Sequence, residues 1–272
     1  MLRLGHIEYS NCIPVHARLL VEGAPPGIEL RRGVPSALNA ELRAGTVDVA
    51  PSSSIEYARN VERYRLLPGF AIAADGPVQS VLLETAVPIE ALDGAEVAIP
   101  TASATSVVLL RALLEKRHGL RPRYRPFEQA DDVDPIGEGA AAALWIGDIA
   151  LRRVGRTPHA LHDMGTLWTE WTGLPFVFAV WQTSAAPERD DELLALTEAL
   201  AASRRYYEAR VDALAARFGP ELRLEPARLA AYWRSLEYGL DERMQRGLLH
   251  FYRVAAELGE APEVASLRWV TR

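Results

Sequence analysis

Residues 73–80 read "AADGPVQS". They separate one apolar run, "YRLLPGFAIAAD" (64–75), from another, "VLLET" (81–85). Gly76 and Pro77 mark a turn between two strands rather than the middle of one. Before this point strands and helices alternate, and after it they alternate again. A long apolar strand, "FVFAVWQTS" (176–184), then offers a way back. The reading is two α/β units joined by two crossings, one made of residues 1–76 plus 182–272 and the other of residues 77–181. Alternating elements of this kind build parallel or mixed sheets covered by helices on both faces. A ligand site in such a fold lies at the carboxyl ends of strands, in the crevice between lobes.

Upstream of the crossing, "LRLGHIEY" is a strand and "VHARLLVEG" the helix after it. "GIELRRGVP" is a strand stopped by Pro35. "PSALNAELRAG" is a short helix that Ser36 can cap and Gly45 can end in a left-handed turn. "VDVAPSS" then runs into the helix "SIEYARN". Downstream, the strand "AEVAIP" leads into "TASATSVVLLRALLEKRHGL", which has a hydroxyl-rich start, an apolar stripe and basic residues in its last turn. "AAALWIG" is a buried strand followed by the helix "DIALRRVG". From Pro187 the chain becomes three amphipathic helices expected to pack on the first unit, part of them a candidate homodimer surface.

The composition excludes several classes. With 272 residues, 49% hydrophobic and 24% charged, the chain buries a core without staples. A net charge of −6 leaves no basic excess for phosphate backbones, so nucleic acid is not expected as a partner, whereas a small anion needs only a local field. The single Cys12 rules out an intrachain disulfide and fits a reducing, cytoplasmic setting. The chain opens on an alternating strand rather than a signal peptide, and no segment has the length of a membrane span. Neither GxGxxG after the first strand nor GxxxxGK[ST] nor GxSxG is present. The six histidines show no metal spacing of the HExxH type, and His159 and His162 read as a surface loop pair.

What the strand ends do carry is hydroxyl and amide: Ser10 and Asn11; Ser52, Ser53 and Ser54; Ser80; Thr101, Ser103, Thr105 and Ser106; Gly147 and Asp148. Each can cap the helix it precedes. Capping alone does not require runs such as "SSS" and "TASATS". Helix starts flanked by hydroxyls are receptors for carboxylate or phosphate that need no Lys or Arg.

"YSNCIP" (9–14), "GVPSALNAELRAGTVDVAPSSSIEYA" (33–58), "SVLLET" (80–85), "IGDIAL" (146–151) and "WTEWTGLPFVFAVW" (168–181), with "YWRSLEYGL" and "GLLHFYRVAAELG" in the tail, together resemble the chorismate dehydratase family of the futalosine route to menaquinone. The resemblance implies a two-lobed fold of the periplasmic-binding-protein type II kind. It also implies loss of water from chorismate to give 3-[(1-carboxyvinyl)oxy]benzoate. Asn11 and Ser80 match the family's two key polar residues. Ser53, Ser54, Ser103, Thr105, Ser106, Gly147 and Asp148 are expected to bind the dianionic substrate. No metal or cofactor is expected, because the product ring is aromatic and the elimination runs downhill. Removing the ring proton drives charge into the ring carboxylate, so donors such as Ser80 stabilise the transition state, while Asn11 orients the leaving hydroxyl or the enolpyruvyl group. The base is either the substrate's enolpyruvyl carboxylate or Asp148, which can equally be a helix cap. A cytoplasmic non-catalytic binder of an anionic solute is the rival from another class. The sister 1,4-dihydroxy-6-naphthoate synthase is the rival enzyme, but it usually opens with a Ser-Pro-Cys-Pro-Asn-Asp-type segment where this chain has "YSNCIP".

Overall fold

A computed structural model describes residues 1–271. The first lobe begins with β1 (Leu2–Ile7), α1 (Ile13–Glu22), β2 (Ile28–Gly33), α2 (Pro35–Ala44), β3 (Val49–Ser53), α3 (Ser54–Arg59) and β4 (Arg65–Ala74). The chain then crosses to β5 (Val81–Thr85), β6 (Glu96–Pro100), α4 (Ala104–Arg111), β7 (Arg123–Phe127), β8 (Ala142–Ile146), α5 (Gly147–Arg153), β9 (Ala160–Asp163) and α6 (Met164–Thr172). It returns in β10 (Phe176–Thr183) and ends in α7 (Asp190–Glu208), α8 (Val211–Leu222), α9 (Pro226–Arg234) and α10 (Glu242–Glu257).

The two five-stranded sheets share one plan. Their orders are β2-β1-β3-β10-β4 and β7-β6-β8-β5-β9. In each, a central strand pairs in parallel with two neighbours, and the strand arriving from the other lobe inserts antiparallel. Exchange of one strand between lobes brings the carboxyl ends of both sheets to a common crevice. The boundary read from sequence at 181/182 falls inside β10, which is a strand of the first sheet along its whole length, since it ladders with β3 and β4 from end to end. The return crossing is therefore at residues 173–175.

Asp163 fixes the outgoing crossing against the start of α6. It caps α6 by accepting from Thr166 N at 3.0 Å, and it also accepts from Val78 N at 3.0 Å and Gln79 N at 2.6 Å. A side chain on Gly165 would collide with the Gly76 carbonyl, so only glycine lets α6 sit this close to the outgoing strand.

Other local expectations are adjusted by tertiary contacts. The residue before α2 is Val34, with no side-chain cap, so Ser36 does not cap that helix. The long helical pattern after Pro187 breaks at Arg210, whose backbone is not helical, into α7 and α8. His162 is on a strand rather than in a loop, because β9 pairs with β5 at the sheet edge, where its ring lies 3.1 Å from the Thr85 hydroxyl. The tail touches both lobes: α7 packs on α1, while Arg152 of α5 donates to the Leu222 carbonyl at the end of α8. Trp168 is core, edge-on to Phe176 and Phe251. No helix among the described residues is long and apolar enough to cross a membrane.

Candidate active site

The site is assembled where β1, β3, β6 and β8 end and where the chain crosses into β5. After β1 the backbone makes one 3-10 turn, Ser10–Cys12, before α1. The side chain of Asn11 caps neither that turn nor the helix. Its Oδ1 is buried and has no partner within the protein, while its neighbour Ser10 is held from two sides. Trp233 Nε1–H donates to the Ser10 carbonyl at 2.8 Å, and Ser10 N donates to the Asp148 carboxylate at 3.2 Å and 3.3 Å. The Ser10 hydroxyl donates to the same carboxylate.

The crossing supplies Ser80. Gln79 sits in the left-handed region at φ +61°, a conformation that costs a non-glycine residue about 1 kcal/mol and is held here by Asp163. Ser80 that follows is 1% exposed, and its Oγ lies 2.8 Å from the Tyr232 phenol, whose O–H donates to it. Its carbonyl accepts from Gly147 N at 2.8 Å, which joins the crossing to the start of α5. Gly147 has φ +62°, and a Cβ there would stand 3.2 Å from carbons of the Tyr9 ring. Glycine is what allows Tyr9 to lie flat against this turn.

The opposite wall comes from β3 and α4. Ser103 caps α4, accepting from Ser106 N at 3.3 Å and donating to Ser106 Oγ at 3.0 Å. Thr105 Oγ1 accepts from Ile55 N of α3 at 3.2 Å, tying the lobes together beside the cleft. The helix start adds its partial positive charge to a row of hydroxyls.

The resulting cleft holds about 550 Å³, open solvent at its mouth included. Asn11, Ser53, Ser80, Ser103, Thr105, Ser106 and Gly147 all line it. Ser54 and Asp148 do not. Ser54 Oγ donates to the Val177 carbonyl at 2.8 Å, and Asp148 is spent on Ser10. Sequence reasoning missed Tyr9, and it missed the apolar walls from Ile72, Val78, Ile146 and Phe178, because residues at strand ends that face a cleft carry the same pattern as residues that face a core. Tyr232, behind Ser80, is buried in the core.

The electrostatics are those of a neutral, drying pocket. No Asp, Glu, Lys, Arg or His is among the lining residues. Burial, with help from Asp148, pushes the Tyr9 phenol up to about 12, against the opposing hydrogen bond of Gln129. Burial drives the Tyr232 phenol far above its ordinary value, Ser80 and Asn11 pulling the other way. Burial also raises the Asp148 carboxyl, while the hydrogen bonds from Ser10 and the charge of Arg152 oppose it.

Behind the first turn, His6, Cys12 and His16 bring three potential ligand atoms within 4.8 Å of one another. The chemistry of His16 does not fit a metal there. Trp181 Nε1–H can only donate, so His16 Nε2, 3.1 Å away, must accept. The neutral ring then carries its proton on Nδ1 and donates it to His6 Nδ1 at 3.0 Å. A metal on His16 Nδ1 would need that proton moved to Nε2, facing the indole N–H. Burial, and secondarily Arg32, lowers His6 to about 3, so this chain of rings stays neutral. Cys12 is buried beside it and its thiol is pushed up to about 12.

Comparison with known proteins agrees with this architecture. The fold is shared with protein AF1704 from Archaeoglobus fulgidus (TM-score 0.76, 19% identity, 95% of this chain and 97% of that one). It is shared too with the periplasmic aliphatic sulphonate binding protein SsuA from Escherichia coli (TM-score 0.68, 12% identity, 100% and 94%). The two-lobed fold is thus that of the periplasmic binding proteins. In sequence, the chain is 35% identical over 264 residues to the chorismate dehydratase of Thermus thermophilus, covering 91% of this chain and 93% of that protein. It is 34% identical over 179 residues to the chorismate dehydratase of Campylobacter jejuni, covering 64% of each. A family model described as menaquinone biosynthesis matches residues 2–257. The chain belongs to this menaquinone biosynthesis family.

Proposed function

We propose that the protein is a chorismate dehydratase, a lyase that removes water from chorismate to give 3-[(1-carboxyvinyl)oxy]benzoate for menaquinone biosynthesis. The observation that carries the chemistry is a cleft lined by hydroxyls, one amide and a helix start, with no ionisable base. Such a cleft suits a dianion whose own carboxylate does the proton transfer. In this mechanism the α4 start, with Ser103, Thr105 and Ser106, receives one carboxylate, and Ser80 donates to the other. The proton on the ether-bearing ring carbon passes to the enolpyruvyl carboxylate. Its electron pair flows through the ring toward the ring carboxylate and then expels the neighbouring hydroxyl, which takes the proton back from the enolpyruvyl carboxyl and leaves as water, restoring the carboxylate. The ring becomes aromatic. Ser80 stabilises the charge that accumulates on the ring carboxylate, and the free Oδ1 of Asn11 accepts from the departing hydroxyl and orients it. Asp148 holds the first turn in place instead of acting as base. We place the activity in the cytoplasm, with chorismate as its small-molecule partner.

The test is loss of the chorismate diene absorbance on incubation with the protein. Ser80→Ala should lower turnover about 10²–10³-fold, the usual cost of one donor to a developing oxyanion. Asp148→Asn should retain turnover within about tenfold. Binding of chorismate without loss of absorbance would make the protein a solute binder. Abolition of turnover by Asp148→Asn, with Asn11 and Ser80 variants still active, would reverse the assignment of the base.

A further inference from the structure

We propose that Tyr232, on helix α9 of the C-terminal tail, is a positioning residue that aims the hydrogen of Ser80 into the cleft; this role rests on the dehydratase reading above. Tyr232 is 1% exposed and does not itself line the cleft. Its phenol oxygen lies 2.8 Å from Ser80 Oγ. A phenol is several orders of magnitude more acidic than an aliphatic alcohol, so it is the better donor and the poorer acceptor of the two. The order of donation is then from Tyr232 to Ser80. A serine hydroxyl has one hydrogen. Once its oxygen accepts from Tyr232, that hydrogen is left free to point at the substrate, and its three rotamers reduce to one useful direction.

The surroundings of Tyr232 are built for this. Gln79 Nε2 donates to Ser235 Oγ at 2.8 Å, and Ser235 Oγ donates to the Tyr232 carbonyl at 2.8 Å. Trp233 donates to Ser10. One turn, residues 232–235, therefore grips the two backbone segments that carry Asn11 and Ser80. A buried phenol needs an acceptor, but packing alone does not require that acceptor to be the hydroxyl of a cleft residue reached across 152 residues of sequence. Polarisation along hydrogen-bonded chains strengthens the last donor, here the one facing the ring carboxylate.

Tyr232→Phe removes one oxygen and keeps the ring. The expected result is a fall in kcat of about tenfold or more with KM for chorismate changed less than about threefold, since the interaction strengthens only as charge develops. In a Ser80→Ala background the same change should cost less than about twofold, because the hydrogen it orients is gone. A kcat within twofold of wild type, or the same loss in both backgrounds, overturns the role. Where Tyr232→Phe does not fold, site-specific 3-fluorotyrosine at 232, a more acidic phenol, tests the same bond: turnover raised above wild type supports it, and turnover unchanged or lowered overturns it. Wild-type protein that leaves chorismate unchanged overturns the dehydratase reading and this role together. An active wild type with an unaffected Tyr232→Phe overturns only the role.

Discussion

Replacing Asn11 by Leu should make the free protein more stable while disabling it. Asn11 Oδ1 is buried without a partner, and an unsatisfied buried acceptor costs about 1–3 kcal/mol. Leu has nearly the same shape and removes that cost. It also sets an apolar side chain among the hydroxyls of the cleft, a loss of about 1 kcal/mol. The balance is a gain of about 1 kcal/mol, or roughly 2–4 °C in Tm for a chain of this size. Turnover should fall about 10²-fold or more, because the group that orients the leaving hydroxyl is gone. The assay is thermal unfolding with and without the reaction product, alongside chorismate turnover. Saturating product at about 100 Kd stabilises wild type by about 2.7 kcal/mol, and this increment should shrink in the variant. A Tm lowered by more than about 5 °C together with near-normal turnover would refute the reasoning, since Oδ1 would then serve the fold and not the ligand.

Gly147→Ala forces a left-handed backbone on alanine and sets a methyl group 3.2 Å from the Tyr9 ring. It should cost about 1–2 kcal/mol of stability and raise KM several-fold, and an unchanged KM would remove Tyr9 from the cleft wall. At Asp48 burial alone would raise the carboxyl, but hydrogen bonds from the Arg3 side chain and amide, with the charge of Arg189, hold it down at about 2. Because the folded value lies below the unfolded one of about 3.9, this carboxylate's contribution of about 2 kcal/mol is present above pH 4 and is lost as pH falls through about 2. Asp48→Asn should therefore melt several degrees lower than wild type at pH 7, with the gap closing near pH 2. Cys12, with its thiol raised to about 12 by burial, should resist alkylation in the native protein at pH 8 and label only on unfolding; rapid native labelling would show an open first turn.

The two-lobed fold was legible because its evidence is local. Gly76 and Pro77 punctuate a crossing, and apolar strands alternate with periodic helices on either side of it. Asn11, Ser80 and the hydroxyls before α4 were legible for the same reason: each follows a strand end, and strand ends of both sheets face one crevice. The errors share a cause as well. Ser54 and Asp148 have the same local setting as their neighbours, yet one bonds to Val177 and the other to Ser10, partners 123 and 138 residues away. The His6–Cys12–His16 group gave no metal spacing in sequence, and its chemistry is decided by the indole of Trp181, another distant residue.

By itself the amino-acid order determined the alternation of strands and helices on either side of Gly76 and which polar side chains collect at strand ends, since both follow from spacing and from turn residues within a few positions. Only the tertiary structure decided which of those polar groups are spent on the protein and which remain for a ligand. Hydrogen-bond satisfaction is a property of neighbours in space, and Tyr232 meets Ser80 only after the tail has folded back across both lobes.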